Sequence, residues 1–320
     1  MSESFQKRRL IFIFLSVAQA CGGGGVKVAK RAVLPLSETD GFGIAHADLN
    51  KVRGFRFDGS PIDINPCGQL ATRAIVQGGD RVFCAGDLFL GQSGSAARDV
   101  GSIRDLRGRT MASYRLRFYP QEAYVAPDAR HVAGYTFEMK EDEERTVTLS
   151  WTDLTTGSLP EVVDTRRTGR QYRYRPLSWA PLGDRFAYVR GGHVYKYTLA
   201  TGKSTLLTNG DDVSWSPRGD RIAFRSAGRE AGFVDPGSEA VKRPMPGRAI
   251  LHGLAFSPDG QFLLFSEPAG SWIDYLSTFF TCQSFTRFAV LNLATGDSTV
   301  VYWACMGEET NDYAWVRVNR

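Results

Sequence analysis

One motif occurs three times in the second half of the chain and constrains the fold more than any other feature. The copies read SWAPLGDRFAY at 178–188, SWSPRGDRIAF at 214–224 and AFSPDGQFLLF at 255–265. In each copy an aromatic residue ends one apolar segment, Pro and Gly turn the chain, and a second apolar segment follows. This pattern predicts two β-strands joined by a tight turn. Its recurrence predicts an array of similar units.

Three weaker copies extend the array in both directions. One starts with Tyr124 in the sequence YVAPDA, and another survives as Gly79 to Phe83, after Ile75. Trp315 marks a last, truncated copy. The sequence therefore predicts six units, each with its own aromatic marker.

A second mark closes a strand on a tight turn, and it alternates with the aromatic marker. Its clearest copies are DLTTG at 153–157, TLATG at 198–202 and NLATG at 292–296, and looser copies end at Gly59, Gly108 and Gly237. The spacings between the six glycines are 49, 49, 45, 35 and 59 residues. These values lie near the length of one four-stranded propeller blade.

The two ends of the array complement each other. Trp315 has no turn glycine after it, and Gly59 has no aromatic marker before it. A C-terminal strand around Trp315 would supply the inner strand of a sheet whose other strands come from residues of about 40 to 66, which removes exposed sheet edges. The predicted fold is all-β: a six-bladed β-propeller of four-stranded blades, its ring closed by N- and C-terminal strands. Seven blades are the alternative.

The repeat of Trp-Ser-Pro-x-Gly, an apolar strand and Leu-x-Thr-Gly resembles the TolB-like group of WD-repeat-like β-propellers. The resemblance covers roughly residues 40–320 and is strongest from Tyr124 to Gly296. It implies a rigid ring that presents loops to a ligand or partner.

The first residues have the three parts of a secretory signal. Lys7, Arg8 and Arg9 precede an apolar run, and small residues end in AQAC at 18–21. The sequence around Cys21 resembles the lipobox of bacterial lipoproteins, which predicts a signal peptide at 1–20, a lipidated Cys21 with a Gly-rich tether at 21–40, and the propeller at 41–320.

The residue after Cys21 bears on the destination. Gly22 is not the Asp that retains lipoproteins at the inner membrane. The resemblance therefore implies the periplasmic face of the outer membrane or the cell surface, with the membrane contacted through the lipid anchor only. Ala18 stands where Leu is usual, so cleavage to a soluble periplasmic or secreted protein is the alternative.

Removing Cys21 from the five cysteines leaves an even number, Cys67, Cys84, Cys282 and Cys305. An oxidising compartment favours disulfides among them, and three pairings are possible. Sequence proximity favours Cys67 with Cys84 and Cys282 with Cys305, each closing a loop for about 3 kcal/mol. Four free buried thiols are the alternative.

Composition and charge exclude two classes of protein. The chain is 42% hydrophobic and 23% charged, which excludes a disordered chain. Loss of the leader, with three basic residues and one acidic, lowers the formal charge from +5 to about +3. A net charge this small creates no broad electrostatic field that would attract a polyanion, so no nucleic-acid partner is expected. The protein is expected to be a monomer.

No pattern of catalytic or metal-binding residues emerges. The histidines His46, His131, His193 and His252 lack the spacing that places two nitrogens on one metal, so no metal or cofactor is expected. His252, on a predicted inner strand, is the candidate for lining a central channel. A channel-centred hydrolase or lyase acting on peptide or glycan is the alternative function, and a structural module without a dedicated ligand is a third.

An aromatic insertion lengthens the last interval between turn glycines. It spans Glu267 to Phe288 and contains Trp272, Tyr275, Phe279, Phe280, Phe285 and Phe288. Exposed aromatic rings dominate many binding interfaces. The sequence predicts a non-enzymatic protein that binds an envelope protein or cell-surface component here, through Trp272, Tyr275, Phe279, Phe280 and Phe285. Rings that fold back over a blade are the alternative.

The densest basic stretch contains Arg166, Arg167, Arg170, Arg173 and Arg175. In the repeat it falls on an outer strand and the connection that follows, which predicts arginines alternating into water. Binding of an anionic envelope component or an acidic partner is the alternative.

Overall fold

The computed structural model describes most of the chain between residues 27 and 317. The described residues are 27–28, 42–48, 51–56, 61–62, 73–77, 81–85, 100–105, 109–115, 122–139, 145–156, 158–168, 177–242, 250, 253–268, 285–305 and 313–317. The predicted signal peptide and Cys21 lie outside them.

The described residues form β-strands joined by turns and loops. The first half contains β1 (Lys27–Val28), β2 (Phe42–Asp48), β3 (Lys51–Arg56), β4 (Pro61–Ile62), β5 (Arg73–Gln77), β6 (Arg81–Ala85), β7 (Val100–Asp105), β8 (Thr110–Arg115), β9 (Glu122–Val125), β10 (His131–Met139), β11 (Arg145–Asp153) and β12 (Glu161–Thr168). The second half contains β13 (Leu177–Trp179), β14 (Arg185–Arg190), β15 (His193–Thr198), β16 (Lys203–Asn209), β17 (Val213–Trp215), β18 (Ile222–Arg225), β19 (Ala231–Val234), β20 (Val241–Lys242), β21 (Ala255–Phe256), β22 (Phe262–Pro268), β23 (Phe285–Asn292), β24 (Ser298–Cys305) and β25 (Tyr313–Arg317). One 3-10 turn, Leu199–Thr201, follows β15.

These strands form antiparallel sheets, and in four of the sheets the spatial order of the strands is their order in the chain. Four sheets run β5 to β8, β9 to β12, β13 to β16 and β17 to β20. A fifth has the order β25-β2-β3-β4, and the sixth has the order β1-β24-β23-β22-β21. The chain is thus all-β, and four antiparallel strands are the common unit of its described sheets.

The repeated motif folds the same way in each described copy. In the three clear copies its aromatic residue ends the first strand of a sheet: Trp179 ends β13, Trp215 ends β17 and Phe256 ends β21, whereas Val125 ends β9 in the weaker copy. The following turn is held by two backbone hydrogen bonds, Ala180 N to Arg185 O and Gly183 N to Ala180 O, and equivalent pairs recur in the turns after β9, β17 and β21. The turn glycine has positive φ, +72° at Gly183, which suits a residue without a Cβ.

The second mark also has a local structural cause. Its first residue accepts hydrogen bonds from the turn backbone: Asp153 Oδ1 accepts the Thr155 N–H at 2.8 Å and Asn292 Oδ1 accepts the Ala294 N–H at 2.9 Å. Asp235, before the looser copy at Gly237, accepts the Gly237 N–H at 2.7 Å. Short Asp and Asn side chains stabilise turns in this way.

Neighbouring sheets are joined through their first strands. The Trp179 Nε1–H donates to Tyr124 O at 2.8 Å, and Ser178 Oγ accepts the Trp215 N–H at 2.8 Å. Apolar side chains of adjacent sheets form shared clusters around these bonds. The first strands are in contact in the order β5, β9, β13, β17, β21, β25 and again β5.

The strand that contains Trp315 pairs with a strand from the other end of the array. β25 is antiparallel to β2, with Trp315 opposite Ile44. Trp315 is 1% exposed, stacks on Phe262 at 6.3 Å, and donates its Nε1–H to Ala255 O at 3.0 Å. The strand therefore belongs to one sheet by pairing and packs on the next sheet through its indole.

Two details differ from the sequence prediction. Residues 27–28, predicted as part of a tether, form β1 and pair with Trp303 and Tyr302 of β24, so this sheet has five strands. An outer strand has unpaired backbone groups, and a second strand of the chain satisfies them here. The aromatic insertion is also shorter than predicted, because β22 continues to Pro268 and β23 begins at Phe285.

Candidate functional site

The two ends of the sheets differ in how the chain connects the strands. The end that holds the motif turns, which we name the turn end, is closed by short turns such as 180–184 and 216–220. The opposite end, which we name the loop end, is where β14, β18 and β22 end. Residues 86–99 and 269–284 both connect strands at the loop end. The longest connections between second and third strands therefore emerge at one end.

Most predicted partner-binding and disulfide residues lie outside the described part of the chain. This holds for Cys67, Cys282, Trp272, Tyr275, Phe279, Phe280 and the channel candidate His252. Cys84 lies in β6, and Cys305, the last residue of β24, pairs in register with Phe285. Phe288, included in the predicted insertion, is instead a fully buried residue of β23 because its strand packs in the core. The remaining assignments stay predictions.

A charged cluster that the sequence reading missed lies at the loop end. The side chain of Arg225, the last residue of β18, is 10% exposed. Its Nε and Nη2 donate to Oδ1 and Oδ2 of Asp211, both at 2.6 Å. Such a bidentate pair fixes the guanidinium in one plane. The signals were present in the sequence: Asp211 and Asp212 precede the motif copy with one residue between, and Arg225 follows it where Val189 and Ser266 follow the other two clear copies.

Asp212 joins this cluster to the next sheet. Its Oδ2 accepts the Gly253 N–H at 2.8 Å, just before β21. Burial raises the pKa of its carboxyl to about 6, although Arg225 and the backbone donors act in the opposite direction. The residue therefore links two sheets with a carboxylate that the protein interior disfavours.

We predict that Asp212→Asn removes part of the pH dependence of stability. Because the pKa of this carboxyl is higher in the folded protein than its ordinary 3.8, the folded state binds the proton more tightly. The free energy of unfolding should therefore fall by about 2 kcal/mol as the pH rises from about 4 to about 6, out of about 3 kcal/mol over the whole titration. Urea unfolding at several pH values measures this fall in the wild type and the variant.

Asp235→Asn is the matched control. The carboxyl of Asp235 accepts turn hydrogen bonds, and these hold its pKa below the ordinary value, so its contribution changes at lower pH. This variant should keep the fall between pH 4 and 6. Equal profiles for the wild type and Asp212→Asn would contradict the assignment.

Polar side chains at the turn end form hydrogen bonds with other groups of the same end. Asp128 Oδ1 accepts the Arg130 N–H at 2.8 Å, and its Oδ2 lies 2.6 Å from His131 Nδ1. The His131 ring stacks on Trp179 at 6.2 Å. His131 thus has a structural role between two sheets. Among the described residues no three His, Cys, Asp or Glu side chains are arranged to hold a metal ion.

Arg166 and Arg167, the described members of the basic stretch, differ from each other. Arg167 is exposed as predicted, whereas Arg166 is half-buried. The prediction that alternating arginines face water is wrong for Arg166, because β12 packs one face against the neighbouring sheet.

Nothing in the described ranges forms a helix long and apolar enough to cross a membrane.

Antiparallel sheets in contact through their first strands are the architecture of a β-propeller. TolB from Acinetobacter baumannii shares this fold: it aligns over 86% of this chain and 66% of its own, with 16% sequence identity and a TM-score of 0.51. The putative TolB from Agrobacterium tumefaciens aligns over 87% of this chain and 98% of its own, with 14% identity and a TM-score of 0.51.

The chain therefore has the fold of a TolB-like β-propeller, and it spans 66% of the length of the Acinetobacter structure. No protein-family model matches the sequence. No curated protein is significantly similar to it in sequence.

Proposed function

We propose that this protein is an exported, non-enzymatic β-propeller that binds an envelope protein or a cell-surface component through the loop end. One observation carries the proposal. The described turns at the turn end are short and satisfied by their own hydrogen bonds, whereas residues 86–99 and 269–284 connect strands at the loop end. Loops on a rigid scaffold are the usual place for binding residues.

The scaffold in this proposal is a closed ring of six blades. Two observations support it over seven blades. The first strands contact one another in a cycle that returns from β25 to β5. β25 also supplies the first strand of the sheet that begins with β2. A closed ring has few exposed edges and holds the loop end rigid.

Export and lipid anchoring are part of the same proposal. The basic, apolar and small-residue parts of the leader support export, and Cys21 with its glycines supports lipidation. A soluble periplasmic or secreted form is the alternative. The proposed disulfides Cys67–Cys84 and Cys282–Cys305 suit an oxidising compartment. Both would join segments that lead into or out of loop-end connections.

The aromatic segment is the proposed binding surface. Residues 269–284 include Trp272, Tyr275, Phe279 and Phe280. Large rings supply much of the binding energy of protein interfaces when they fill pockets on a partner. The same rings on a monomeric protein with no partner would form an exposed apolar patch, which soluble proteins rarely retain without a function.

The experiment is cross-linking in intact cells that produce the full chain. We predict that replacing Phe279 and Phe280 together by Ser lowers the yield of a cross-linked partner about tenfold, because two anchor rings are lost. The cross-linked partner is identified by mass spectrometry. The result is verified in the reverse direction, by purifying the partner and detecting this protein with it. The melting temperature of the variant should stay at the wild-type value.

Leu182→Ser is the matched control, because Leu182 is 75% exposed and lies in a motif turn at the turn end. It removes a comparable exposed apolar side chain and should leave the cross-linked yield unchanged. A lower melting temperature in the Phe279 and Phe280 variant would mean that the rings cover a blade, and the proposal would fail.

A further inference from the structure

The short strand β1 covers part of the outer edge of the sixth sheet. It pairs antiparallel with β24, with Lys27 opposite Trp303 and Val28 opposite Tyr302. The outer edge of a sheet has backbone groups that can pair with a further extended segment, and here that segment comes from the N-terminal part of the same chain. β1 therefore fixes one point of the N-terminal segment on the propeller.

The register of this pair sets the direction from which the chain reaches the propeller. Cys305, the last residue of β24, is opposite Phe285, the first residue after the connection 269–284, so β24 ends at the loop end. β1 runs the opposite way, and the residues before Lys27 therefore lead toward the loop end. Because Lys27 is opposite Trp303, it lies about 7 Å along the sheet from the loop end of β24 and about 17 Å from its turn end.

The proposed lipid anchor is a short distance along the chain from this point. Cys21 is six residues before Lys27, so the two α-carbons are at most about 20 Å apart. A bilayer at the loop end lies in the direction in which the chain already runs. A bilayer at the turn end would require the chain to reverse and to extend almost fully. The length and the direction of the tether together favour the loop end.

The pairing of β1 is what makes this tether short. The next described strand, β2, begins at Phe42, twenty-one residues after Cys21. A tether of that length could span about 70 Å when extended, which is enough to let any face of the propeller meet the membrane. The pairing with β24 therefore decides whether the anchor restricts the orientation of the propeller.

We propose that β1 holds the loop end of the propeller toward the membrane that carries the lipid anchor. This orientation depends on the proposed lipidation of Cys21. Near β1, the loop end is then separated from the bilayer by no more than the reach of the tether, whereas a domain of about 100 residues is about 34 Å across. A partner bound through residues 269–284, which connect strands of this same sheet, is therefore a component of the anchoring membrane rather than a free globular protein.

Energy transfer to a membrane dye measures the orientation. The lipidated full chain is reconstituted on the outer surface of vesicles of phosphatidylethanolamine and phosphatidylglycerol that carry an acceptor dye on their headgroups. A fluorescent amino acid is introduced as the donor at one exposed position. Ala227 lies between β18 and β19 at the loop end of the adjacent sheet, and Ala294 lies in the turn after β23 at the turn end of the sixth sheet itself.

Transfer from the two positions should differ, because the ends of an eight-residue strand such as β24 are about 27 Å apart. In the proposed orientation, transfer from position 227 should be at least about twofold stronger than transfer from position 294.

An insertion before β1 should abolish this difference. A Gly/Ser linker of about twenty residues between Gly25 and Val26 gives the anchor a long flexible connection to β1. The same linker between Ser37 and Glu38 is the matched control, because it lengthens the chain from Cys21 to β2 equally but leaves the part before β1 unchanged. The first insertion should make transfer from the two positions nearly equal, and the second should preserve the wild-type difference. Both insertion variants should keep the wild-type melting temperature.

Three results would overturn the proposal. Transfer from position 294 that equals or exceeds transfer from position 227 in the wild type would mean that the loop end does not face the bilayer. Equal effects of the two insertions would mean that β1 does not hold the tether. A chain that fails to float with the vesicles would lack the anchor, so the proposed lipidation would fail together with the orientation. Flotation distinguishes this last case from the other two, and cross-linking measures partner binding by residues 269–284 separately.

Discussion

Replacing Arg225 by Met is expected to lower the free energy of unfolding by about 2 kcal/mol, because the buried carboxylate of Asp212 loses its nearby cation, whereas Asp211 is 42% exposed and remains solvated. Arg225 is the cation that faces both Asp211 and Asp212 at the loop end. Without it, two adjacent carboxylates lie close together, and that of Asp212 is buried. Methionine fills a similar length, so the loss measures the charge rather than a cavity.

Arg221→Met provides the comparison in the same segment. Arg221 precedes β18 at the turn end, and its ion pair with Asp220 is considerably more exposed. Exposed pairs contribute about 0–1 kcal/mol, so this variant should lose no more than that. Urea unfolding at pH 7.5 measures both. Adding Asp212→Asn to Arg225→Met should restore part of the loss, and equal losses for the two arginine variants would contradict the interpretation.

Replacing Gly232 by Ala is expected to cost about 3 kcal/mol, the upper part of the range for overpacking a core. Gly232 lies in β19 directly opposite Phe224 of β18. A Cβ on Gly232 would come within 2.3 Å of the Phe224 ring, at its Cζ. Phe224 is fully buried, so its ring cannot move without displacing other core side chains.

Gly228→Ala is the corresponding control, because its Cβ would meet only Ser226 Oγ at 3.7 Å. This substitution should change stability by less than about 1 kcal/mol. The double variant Phe224→Leu with Gly232→Ala should recover part of the stability lost in Gly232→Ala, because leucine leaves space for the new methyl group. A loss that is the same with Phe or Leu at 224 would show that the ring is not the cause.

Much of the fold follows from local sequence. The turns at Gly183, Gly219 and Gly260 could be predicted because each glycine follows a Pro and one further residue. Few turn types fit this pattern, and they place a residue with positive φ at the glycine. Trp179 and Trp215 could be placed at the ends of first strands because each lies two residues before the Pro of such a turn. Ala129 has a φ of 58° where the other copies have glycine, which explains why this copy of the motif was harder to recognise.

The features at the loop end could not be predicted in the same way. Asp212 and Gly253 are 41 residues apart in sequence, and their hydrogen bond depends on how one sheet packs on the next. The burial of Asp164 in β12 likewise depends on an ion pair with Arg190 of another sheet. Sequence periodicity gives the two faces of a strand, but not which of them meets a neighbour.

The pairing of β25 with β2 has a consequence for the order of folding. β2 is synthesised before β5 to β24, yet its partner β25 is synthesised after them. During synthesis, one edge of β2 therefore remains unpaired, and its sheet can be completed only by a contact between distant parts of the chain. Such contacts form slowly. Chaperone demand and misfolding are expected to concentrate in the N-terminal strands.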